Sequence, residues 1–370
     1  MTERTEGRGG AGGGARTLDV RDPADGSLLA TVPAAGPAEV ARAVESARAA
    51  AASWAALEPK PRCRRLRPLL AEIGGRSEEI ADVIVRETGK PRVEALAEVL
   101  VSLELIRYYD RTAPRALGRR RVGTGWLLGK RAWTVREPLG VIGAITPWNY
   151  PFLIAMDSVT AALFAGNGIV VKPSEATPLS ALKIAELCAG AGLPAELVHV
   201  VTGDATTGEA LVRSGVDKVV FTGSSVTGRK VMAAAADSLT PVALELGGKD
   251  PALVLEDADL ERAAEGVVYG AFFNAGQTCI STERAFVVDA VYDDFVERVT
   301  EKARKLRVGA AGDAGEDRGR DAGGDEREVG PMTVPRQMEV VEAHVADALS
   351  RGARSVVGGG RPDDGSPCHL

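Results

Sequence analysis

Histidine, cysteine and aromatic residues are scarce in this chain of 370 residues. It has three histidines and no Cys-x-x-Cys pair, and its four cysteines, far apart in the sequence, are Cys63, Cys188, Cys279 and Cys368. Neither a structural metal site nor a disulfide framework is expected, because both need ligands or thiols at characteristic spacings. No apolar run approaches the ~18 residues of a membrane span, and residues 1–16 lack the apolar core of a secretory signal. We therefore expect a cytoplasmic protein with reduced thiols and no membrane partner.

A dominant charge is also lacking. The formal net charge is −6, and acidic and basic residues are interspersed along most of the chain. A nucleic-acid partner is therefore not expected, because nucleic-acid-binding proteins concentrate basic residues in a patch or stripe. Apolar residues make up 45% and charged residues 26% of the chain, which is typical of a soluble globular enzyme. At roughly 100–200 residues per domain, the length predicts two domains.

Two segments contain too few large apolar residues to pack against a core. Residues 1–16 include an almost unbroken run of glycine, which predicts a disordered tail. Residues 309–328 consist mainly of Gly, Asp, Glu and Arg, which predicts a disordered surface loop.

Apolar spacing predicts helices in the first part of the chain and an α/β pattern after it. The first helical stretch contains Val40, Val44, Ala47, Ala51 and Trp54; the second contains Ile73, Ile80 and Ile84 and ends at Gly89 or Lys90; the third, Glu94 to Tyr109, contains Leu96, Leu100, Leu103 and Ile106. From Trp133 onward, short Val- and Ile-rich runs alternate with helical stretches, which predicts a parallel α/β sheet covered on both faces. The strand-like runs are 140–146, 169–172, 198–201, 219–222, 252–255 and 285–288; the helical ones include 153–165, 181–189, 207–214, a helix capped by Asp259 and stopped by Gly276, and 334–348.

The first segment with chemical content is the turn Pro147-Trp148-Asn149-Tyr150-Pro151, which follows a predicted buried strand. An asparagine amide held at the end of a strand can donate a hydrogen bond to a developing oxyanion. The same side chain can instead simply cap the turn, and these residues alone leave both interpretations open.

The second segment, Val170-Val171-Lys172-Pro173-Ser174-Glu175, places a cation and a carboxylate just beyond a strand. Ligands of open α/β sheets bind at the carboxyl edge of the strands. A glutamate there can accept hydrogen bonds from a ribose diol and would repel a 2′-phosphate. By themselves, the two side chains are also typical of a solvated ion pair.

The third segment, Phe221 to Gly228, follows a strand and opens a helix through Val231 and Ala235. Glycine allows the tight turn, and a helix N-terminus favours a phosphate group. The segment is not a Gly-x-Gly-x-x-Gly fingerprint, so ordinary turn chemistry remains an alternative.

The last two segments are Leu244-Glu245-Leu246-Gly247-Gly248 and Asn274-Ala275-Gly276-Gln277-Thr278-Cys279. A cysteine in a turn among small polar residues is a candidate nucleophile, although free cysteines more often pack in cores. We expect Glu245, between two leucines, to be partly buried; burial raises a carboxyl pKa and suits it to base catalysis. The alternative for Glu245 is a structural hydrogen-bonding role.

In order and spacing, these five segments together resemble the NAD(P)-dependent aldehyde dehydrogenase superfamily, and the texture around Cys279 is similar to succinate-semialdehyde dehydrogenases. The separation of base and nucleophile, 279 − 245 = 34 residues, is the one that this family shows. The resemblance implies an α/β fold with a Rossmann-type cofactor domain (residues 17–247), a bridging segment for homo-oligomerisation (118–137) and an α/β catalytic domain (248–370). Cys63, Cys188 and Cys368 match no active-site motif of the family, which leaves them packing or surface roles.

The resemblance also implies roles for individual residues. Cys279 would attack an aldehyde, Asn149 would hold the oxyanion, and Glu245 would activate water to hydrolyse the thioester. NAD, or NADP as a second option, would be the cofactor, with Glu175 favouring NAD. The residues implied at the cofactor are Ile145, Thr146, Pro147, Trp148, Lys172, Ser174, Glu175, Gly203, Phe221, Gly223, Ser224 and Leu246.

One departure from the family pattern bears on activity. The chain ends at Leu370, whereas family members continue through a Pro-Thr strand into a Glu-x-Phe-Gly-Pro motif whose Glu positions the nicotinamide ribose. We therefore expect an incomplete catalytic domain, exposed apolar surface, unpaired strand edges and low stability. The rival hypothesis is an inactive fragment that retains dinucleotide binding through Lys172, Glu175 and Ser224.

Overall fold

A computed structural model describes residues 16–126, 129–309 and 328–361 of the chain. The tail and the loop predicted over residues 1–16 and 309–328 fall almost entirely outside these ranges. The described part begins with strands β1 (Thr17–Arg21) and β2 (Leu28–Pro33), which pair antiparallel. Val20 and Val32 bury their side chains on this pair.

Five helices follow: α1 (Pro37–Ala55), α2 (Pro59–Leu66), α3 (Pro68–Gly75), α4 (Ser77–Thr88) and α5 (Arg92–Ala116). The apolar face predicted for α1 is confirmed, since all five of its residues are buried. The prediction of one helix through Ile73 and Ile84 was wrong: α3 and α4 are separate, because the glycine pair before Arg76 has low helix propensity. Helix α4 ends as predicted at Gly89, whose φ of 75° suits glycine.

The face predicted for α5 was wrong in one position. Leu100 is 60% exposed, whereas Ala95 and Val99 are fully buried. The buried side of α5 also carries Glu94 and Glu98, so polar contacts as well as apolar packing determine which face turns inward.

An exposed antiparallel hairpin lies within the predicted bridging segment. It consists of β3 (Arg120–Val122) and β4 (Ala132–Thr134), in which Arg121 faces Trp133.

The central sheet has five parallel strands in the order β7-β6-β5-β8-β9. Its strands are β5 (Val141–Ile145), β6 (Gly168–Lys172), β7 (Val198–Val200), β8 (Lys218–Gly223) and β9 (Val242–Leu246). They alternate with helices α6 (Pro151–Ala165), α7 (Leu179–Gly190), α8 (Ala205–Arg213) and α9 (Ser225–Ala236). This is the predicted α/β arrangement, and its strand order reverses direction between β5 and β8.

Helices cover both faces of the sheet. Val141, Val170 and Val219 lie in a core that α1, α8 and α9 share on one face. Ile142 and Ile169 lie in a larger core on the other face, which α6, α7 and then α2–α5 enclose. Because successive residues of a strand point to opposite faces, continuous apolar runs are what a sheet buried on both sides requires.

The remaining elements are β10 (Asp250–Val254), α10 (Leu260–Phe272), β11 (Thr282–Val287), α11 (Tyr292–Lys305) and α12 (Pro335–Ser350). Strands β10 and β11 pair in parallel, and Val254, Ala264 and Phe295 form a small core beneath them. Asp259 caps α10 as predicted, by accepting a hydrogen bond from Arg262 N. None of the helices in the described ranges is long and apolar enough to cross a membrane.

Candidate active site

The predicted cofactor residues converge on one edge of the central sheet. All five strands are parallel, so their carboxyl ends meet there. The segments Ile145–Asn149 and Phe221–Ser224 extend from the neighbouring strands β5 and β8, on either side of the point where the strand order reverses. Ligands of doubly wound sheets bind outside the carboxyl ends at this position. The other predicted residues at this edge are Lys172, Ser174 and Glu175 after β6, Gly203 after β7, and Glu245 and Leu246 on β9.

Lys172 and Glu175 are in contact, but their environments differ. Lys172 Nζ lies 3.5 Å from Glu175 Oε2, with the lysine side chain buried and the glutamate side chain 59% exposed. Burial lowers the pKa of Lys172. The interpretation as a fully solvated ion pair is therefore wrong for the lysine, which presents a nearly buried donor to the sheet edge.

The turn after β8 is shaped by close packing at its glycines. A Cβ at Gly223 would lie 2.7 Å from the Phe221 ring, and one at Gly228 would lie 2.9 Å from Leu246 Cδ2. Ser224 caps α9 by accepting a hydrogen bond from Thr227 N at 3.2 Å. The turn thus places the first backbone N–H groups of a 12-residue helix at the carboxyl edge, where they favour an anionic group.

Asn149 contacts the segment that carries Cys279. Its Nδ2 donates to Gln277 O at 2.8 Å, two residues before the cysteine. The next residue, Tyr150, is linked through its hydroxyl to Thr278 Oγ1 at 2.7 Å. Burial, together with nearby acidic groups, raises the pKa of Tyr150 well above its ordinary value. The structure therefore brings together two segments that are 128 residues apart in sequence.

We call residues 273–281, between α10 and β11, the Cys279 loop. Cys279 itself is exposed, whereas Cys63 and Cys188 are buried in the core; Cys368 lies outside the described residues. Asn274 adopts a left-handed conformation with φ of 55°, as does the next residue. Gln277 accepts a hydrogen bond at Oε1 from Thr333 N at 2.9 Å, which ties the loop to a segment far along the chain.

Glu245 is exposed, so the prediction of partial burial was wrong. It lies on β9, the last strand in the sheet order, where one side of the strand has no partner in the described parts of the chain. The motif still reaches the nucleophile, since a Cβ on Gly248 would lie 2.8 Å from Cys279 O. Half-buried Asp157, on α6, accepts a hydrogen bond from the Tyr109 hydroxyl at 3.3 Å. Burial, and secondarily the charge of Glu245, raise the pKa of Asp157.

Sequence reasoning missed three buried charged residues that contact the site: Lys90, Glu94 and Glu98. Lys90 Nζ donates to Glu98 Oε1 at 2.6 Å and to Asn149 O at 2.8 Å. It also lies 4.5 Å from the centre of the Tyr150 ring.

The two glutamates connect helix α5 to both halves of the site. Glu98 Oε2 accepts hydrogen bonds from the first N–H groups of α6, those of Phe152 (3.2 Å) and Leu153 (3.1 Å). Glu94 Oε1 accepts one from Asn274 N at 2.8 Å, within the Cys279 loop. The available signal was the spacing of the two glutamates, which are four residues apart and adjacent to the buried Ala95 and Val99.

The sheet defines a doubly wound α/β fold. Asn149 and the Gly248 turn both meet the Cys279 loop, so a thiol lies beside the ligand-binding edge of this sheet. The sequence pattern of the aldehyde dehydrogenase family matches residues 11–368. The chain belongs to the aldehyde dehydrogenase family, as its motifs predicted.

Relatives of known name agree with this assignment. The mitochondrial succinate-semialdehyde dehydrogenase of Arabidopsis thaliana is 39% identical over 348 residues, covering 94% of this chain and 63% of the plant protein. This chain therefore spans less than two thirds of that relative's length. An NADP-dependent enzyme of E. coli is 36% identical with a TM-score of 0.89, over 96% of this chain and 71% of that one. An NAD-dependent aldehyde dehydrogenase from Sinorhizobium meliloti is 35% identical with a TM-score of 0.88, over 95% of this chain and 69% of that one.

Proposed function

We propose that this chain oxidises an aldehyde to a carboxylate with NAD or NADP, through a covalent intermediate on Cys279. The observation that carries the proposal is the contact between the Asn149 side chain and the loop of the exposed Cys279. An amide donor and a thiol held together in this way suit a reaction that develops an oxyanion next to sulfur.

The cofactor is proposed for the carboxyl edge of the central sheet. Lys172 offers a nearly buried donor and Glu175 an exposed acceptor, which fit the hydroxyl groups of an adenosine ribose. The N-terminus of α9 behind Ser224 fits a pyrophosphate. When bound there, the oxidised nicotinamide supplies a hydride acceptor.

The chemistry on the protein side then follows from three residues. The Cys279 thiolate attacks the aldehyde carbon, and as the C–S bond forms the π electrons of the C=O bond move to the aldehyde oxygen, which becomes the oxyanion of a thiohemiacetal. Asn149 Nδ2 carries two hydrogens, of which one is donated to Gln277 O, so the other is available to this oxyanion. The C=O bond re-forms as hydride leaves the carbon, which yields a thioester. Glu245 takes a proton from water as the water oxygen attacks the thioester, and cleavage of the C–S bond releases the carboxylic acid and the Cys279 thiolate. The acid and Glu245 each then lose a proton to solvent, which restores the starting state of both residues.

The exposure of Glu245 suits this role in one respect. An exposed carboxylate on an edge strand can be reached by water without opening the core. Glu245 is far from Cys279 in sequence, but the Gly247-Gly248 turn that follows it contacts the Cys279 loop, because Gly248 lies against the Cys279 carbonyl.

The aldehyde class is taken from the relatives, with succinate semialdehyde as the first candidate because the Arabidopsis enzyme is named for it. An anionic substrate beside Glu245 would meet the negative charge of that carboxylate, which also contributes to the raised pKa of Asp157. Butanal has the same chain length without the carboxylate. Comparing kcat/KM for the two compounds therefore separates a carboxylate-binding site from one for neutral aldehydes. The cytoplasmic location and a homo-oligomer also remain predictions.

Replacement of Cys279 by alanine should abolish NADH formation, because the covalent route has no other nucleophile at this position. Production of NADH would be followed by absorbance, with Cys368→Ala as the matched thiol control and calorimetric titration with NAD as the measure of cofactor binding. Turnover that survives in Cys279→Ala contradicts the proposed mechanism. A wild-type chain that binds NAD without turnover would support the rival, a dinucleotide-binding chain without catalysis.

Replacement of Glu175 by glutamine should lower the preference for NAD over NADP by roughly tenfold, because a carboxylate near a 2′-phosphate costs ~1 kcal/mol or more even in water. The measurement is the ratio of kcat/KM for the two cofactors, with the exposed Glu256→Gln as control for a change in net charge. An unchanged ratio in Glu175→Gln would remove this residue as the determinant of cofactor choice.

A further inference from the structure

Two buried oxygen atoms at the Cys279 loop have no hydrogen-bond partner among the described residues: Asn274 Oδ1, within the loop, and Glu94 Oε2, on α5. Glu94 is 4% exposed and Asn274 is 2% exposed. The two residues are already joined, because Asn274 N donates to the other carboxyl oxygen of Glu94 at 2.8 Å. A buried acceptor without a donor is costly, so two of them in contacting residues require an explanation.

The orientation of the Asn274 amide is determined by its own contacts. Its Nδ2 donates to Asn149 O at 3.0 Å and to Gln277 O at 3.1 Å. Turning the amide over would place Oδ1 against two carbonyl oxygens. Oδ1 therefore needs a donor, and an ionised carboxylate has none to offer, whereas a protonated carboxyl group has one O–H.

The charges around Glu94 favour the protonated form. Burial is the main cause that raises its pKa, to about 7, and Glu98 on the same helix adds to the effect. Lys90 lowers the pKa of Glu94, but its Nζ is 2.6 Å from Glu98 Oε1. Two further titratable groups are coupled to this cluster: Tyr150, ahead of α6, on which Glu94, Glu98 and Cys279 act, and the buried Glu87 of α4, on which Glu98 acts.

We propose that Glu94 is a positioning residue that holds the Cys279 loop as a neutral carboxylic acid. In this arrangement Oε1 accepts the Asn274 backbone N–H, and the proton on Oε2 is donated to Asn274 Oδ1. Because Asn274 also binds the Asn149 carbonyl, the pair sets the distance between the nucleophile loop and the oxyanion donor. The inference rests on the proposed function only in taking Cys279 as the nucleophile.

The arrangement depends on pH in a definite direction. The folded-state pKa of Glu94 is raised from 4.5 to about 7, so the proton is present below neutral pH and is lost above it. Loss of the proton removes the donor to Asn274 Oδ1 and leaves two acceptors facing each other. The Cys279 loop should therefore become looser as pH rises through neutrality.

The test is the rate at which iodoacetamide alkylates Cys279 in the full chain, from about pH 5.5 to about pH 9, without aldehyde or cofactor. Mass spectrometry of the Cys279 peptide gives the rate, and the same chain in urea corrects for the thiolate fraction. The corrected wild-type rate should rise roughly fivefold across neutral pH, the effect of losing one hydrogen bond. Since no turnover is needed, failure of the proposed enzymatic function would not be mistaken for failure of this inference.

Two neutral variants separate hydrogen bonding from charge. Glu94→Gln keeps an acceptor and a permanent N–H donor, so its corrected rate should stay at the low-pH wild-type value throughout. Glu94→Ala loses both contacts and should react fast at every pH. A purely electrostatic role predicts the opposite for glutamine, because removal of a nearby negative charge favours the thiolate. The proposal is overturned if Glu94→Gln reacts faster than wild type above pH 7, or if the glutamine variant behaves like alanine. If Glu94→Ala fails to fold, the comparison of Glu94→Gln with wild type still distinguishes hydrogen bonding from a purely electrostatic role.

Discussion

Replacement of Lys90 by methionine is expected to lower the free energy of unfolding by about 3–5 kcal/mol. Lys90 and Glu98 form an ion pair in which both side chains are almost fully buried, at 3% and 1% exposure. Removing the cation leaves Glu98 buried without its partner, and it also leaves Asn149 O without the Lys90 donor. Urea unfolding followed by circular dichroism would measure the loss, with the exposed Lys230→Met as the matched control.

The double variant Lys90→Met/Glu98→Gln distinguishes an unpaired charge from lost packing. Glutamine is neutral and keeps an oxygen that can accept the N–H groups of Phe152 and Leu153. It should therefore recover a substantial part of the stability lost in Lys90→Met. A single variant that unfolds at the wild-type urea concentration would show that the ion pair contributes little, as exposed pairs do.

Much of the fold was predictable because its strands and helices are defined by local patterns. A continuous apolar run such as Val141–Ile145 can bury all its side chains as a strand only in a sheet that is covered on both faces. The structure has this arrangement. Turn signals were equally local, since Gly89 and Asp259 end and begin helices as expected. One error arose where apolar spacing and helix propensity conflicted. The spacing from Ile73 to Ile84 predicted a single helix, whereas the low helix propensity of Gly74 and Gly75 favours the end of α3 before α4 begins.

The candidate site was predictable to the extent that its residues lie at strand ends. In a parallel sheet the ends of all strands share one edge, so Asn149, Lys172 and Ser224 converge without any knowledge of side-chain contacts. For Glu245 the expected burial was wrong. Its leucine neighbours suggested partial burial, whereas β9 lies at the end of the sheet order, and the position of a strand in a sheet is not encoded in the local sequence.

The buried cluster beneath the site could not be predicted in this way. The sequence shows only that three charged residues, Lys90, Glu94 and Glu98, lie near the start of a helix. They are buried because α5 packs against α6 and the Cys279 loop. Their partners, Asn149 and Asn274, lie 59 and 180 residues away from the residues that they bind. A charged residue at the spacing of a buried helix face would have justified the prediction of a buried polar contact. It would not have identified the partner.

Replacement of Asn149 by alanine is expected to lower kcat for aldehyde oxidation by about 10²–10³-fold with little change in KM, the effect of removing one oxyanion donor. The donor acts on charge that develops after the substrate is bound, so binding itself should be preserved. Steady-state kinetics with succinate semialdehyde or butanal, whichever has the higher kcat/KM, would measure both constants.

A control is needed because Asn149 Nδ2 also holds the Cys279 loop, through Gln277 O. Asn274→Gly removes the hydrogen bonds of Asn274 Nδ2 to Gln277 O and to Asn149 O, and it removes the side-chain partner proposed for Glu94, but it removes no oxyanion donor; glycine also tolerates the φ of 55° at this position. We expect its loss in kcat to be at least tenfold smaller than that of Asn149→Ala, because anchoring of the loop is shared among several contacts. Equal losses in the two variants would mean that Asn149 acts by positioning the loop, and the oxyanion would then have to be stabilised by backbone N–H groups.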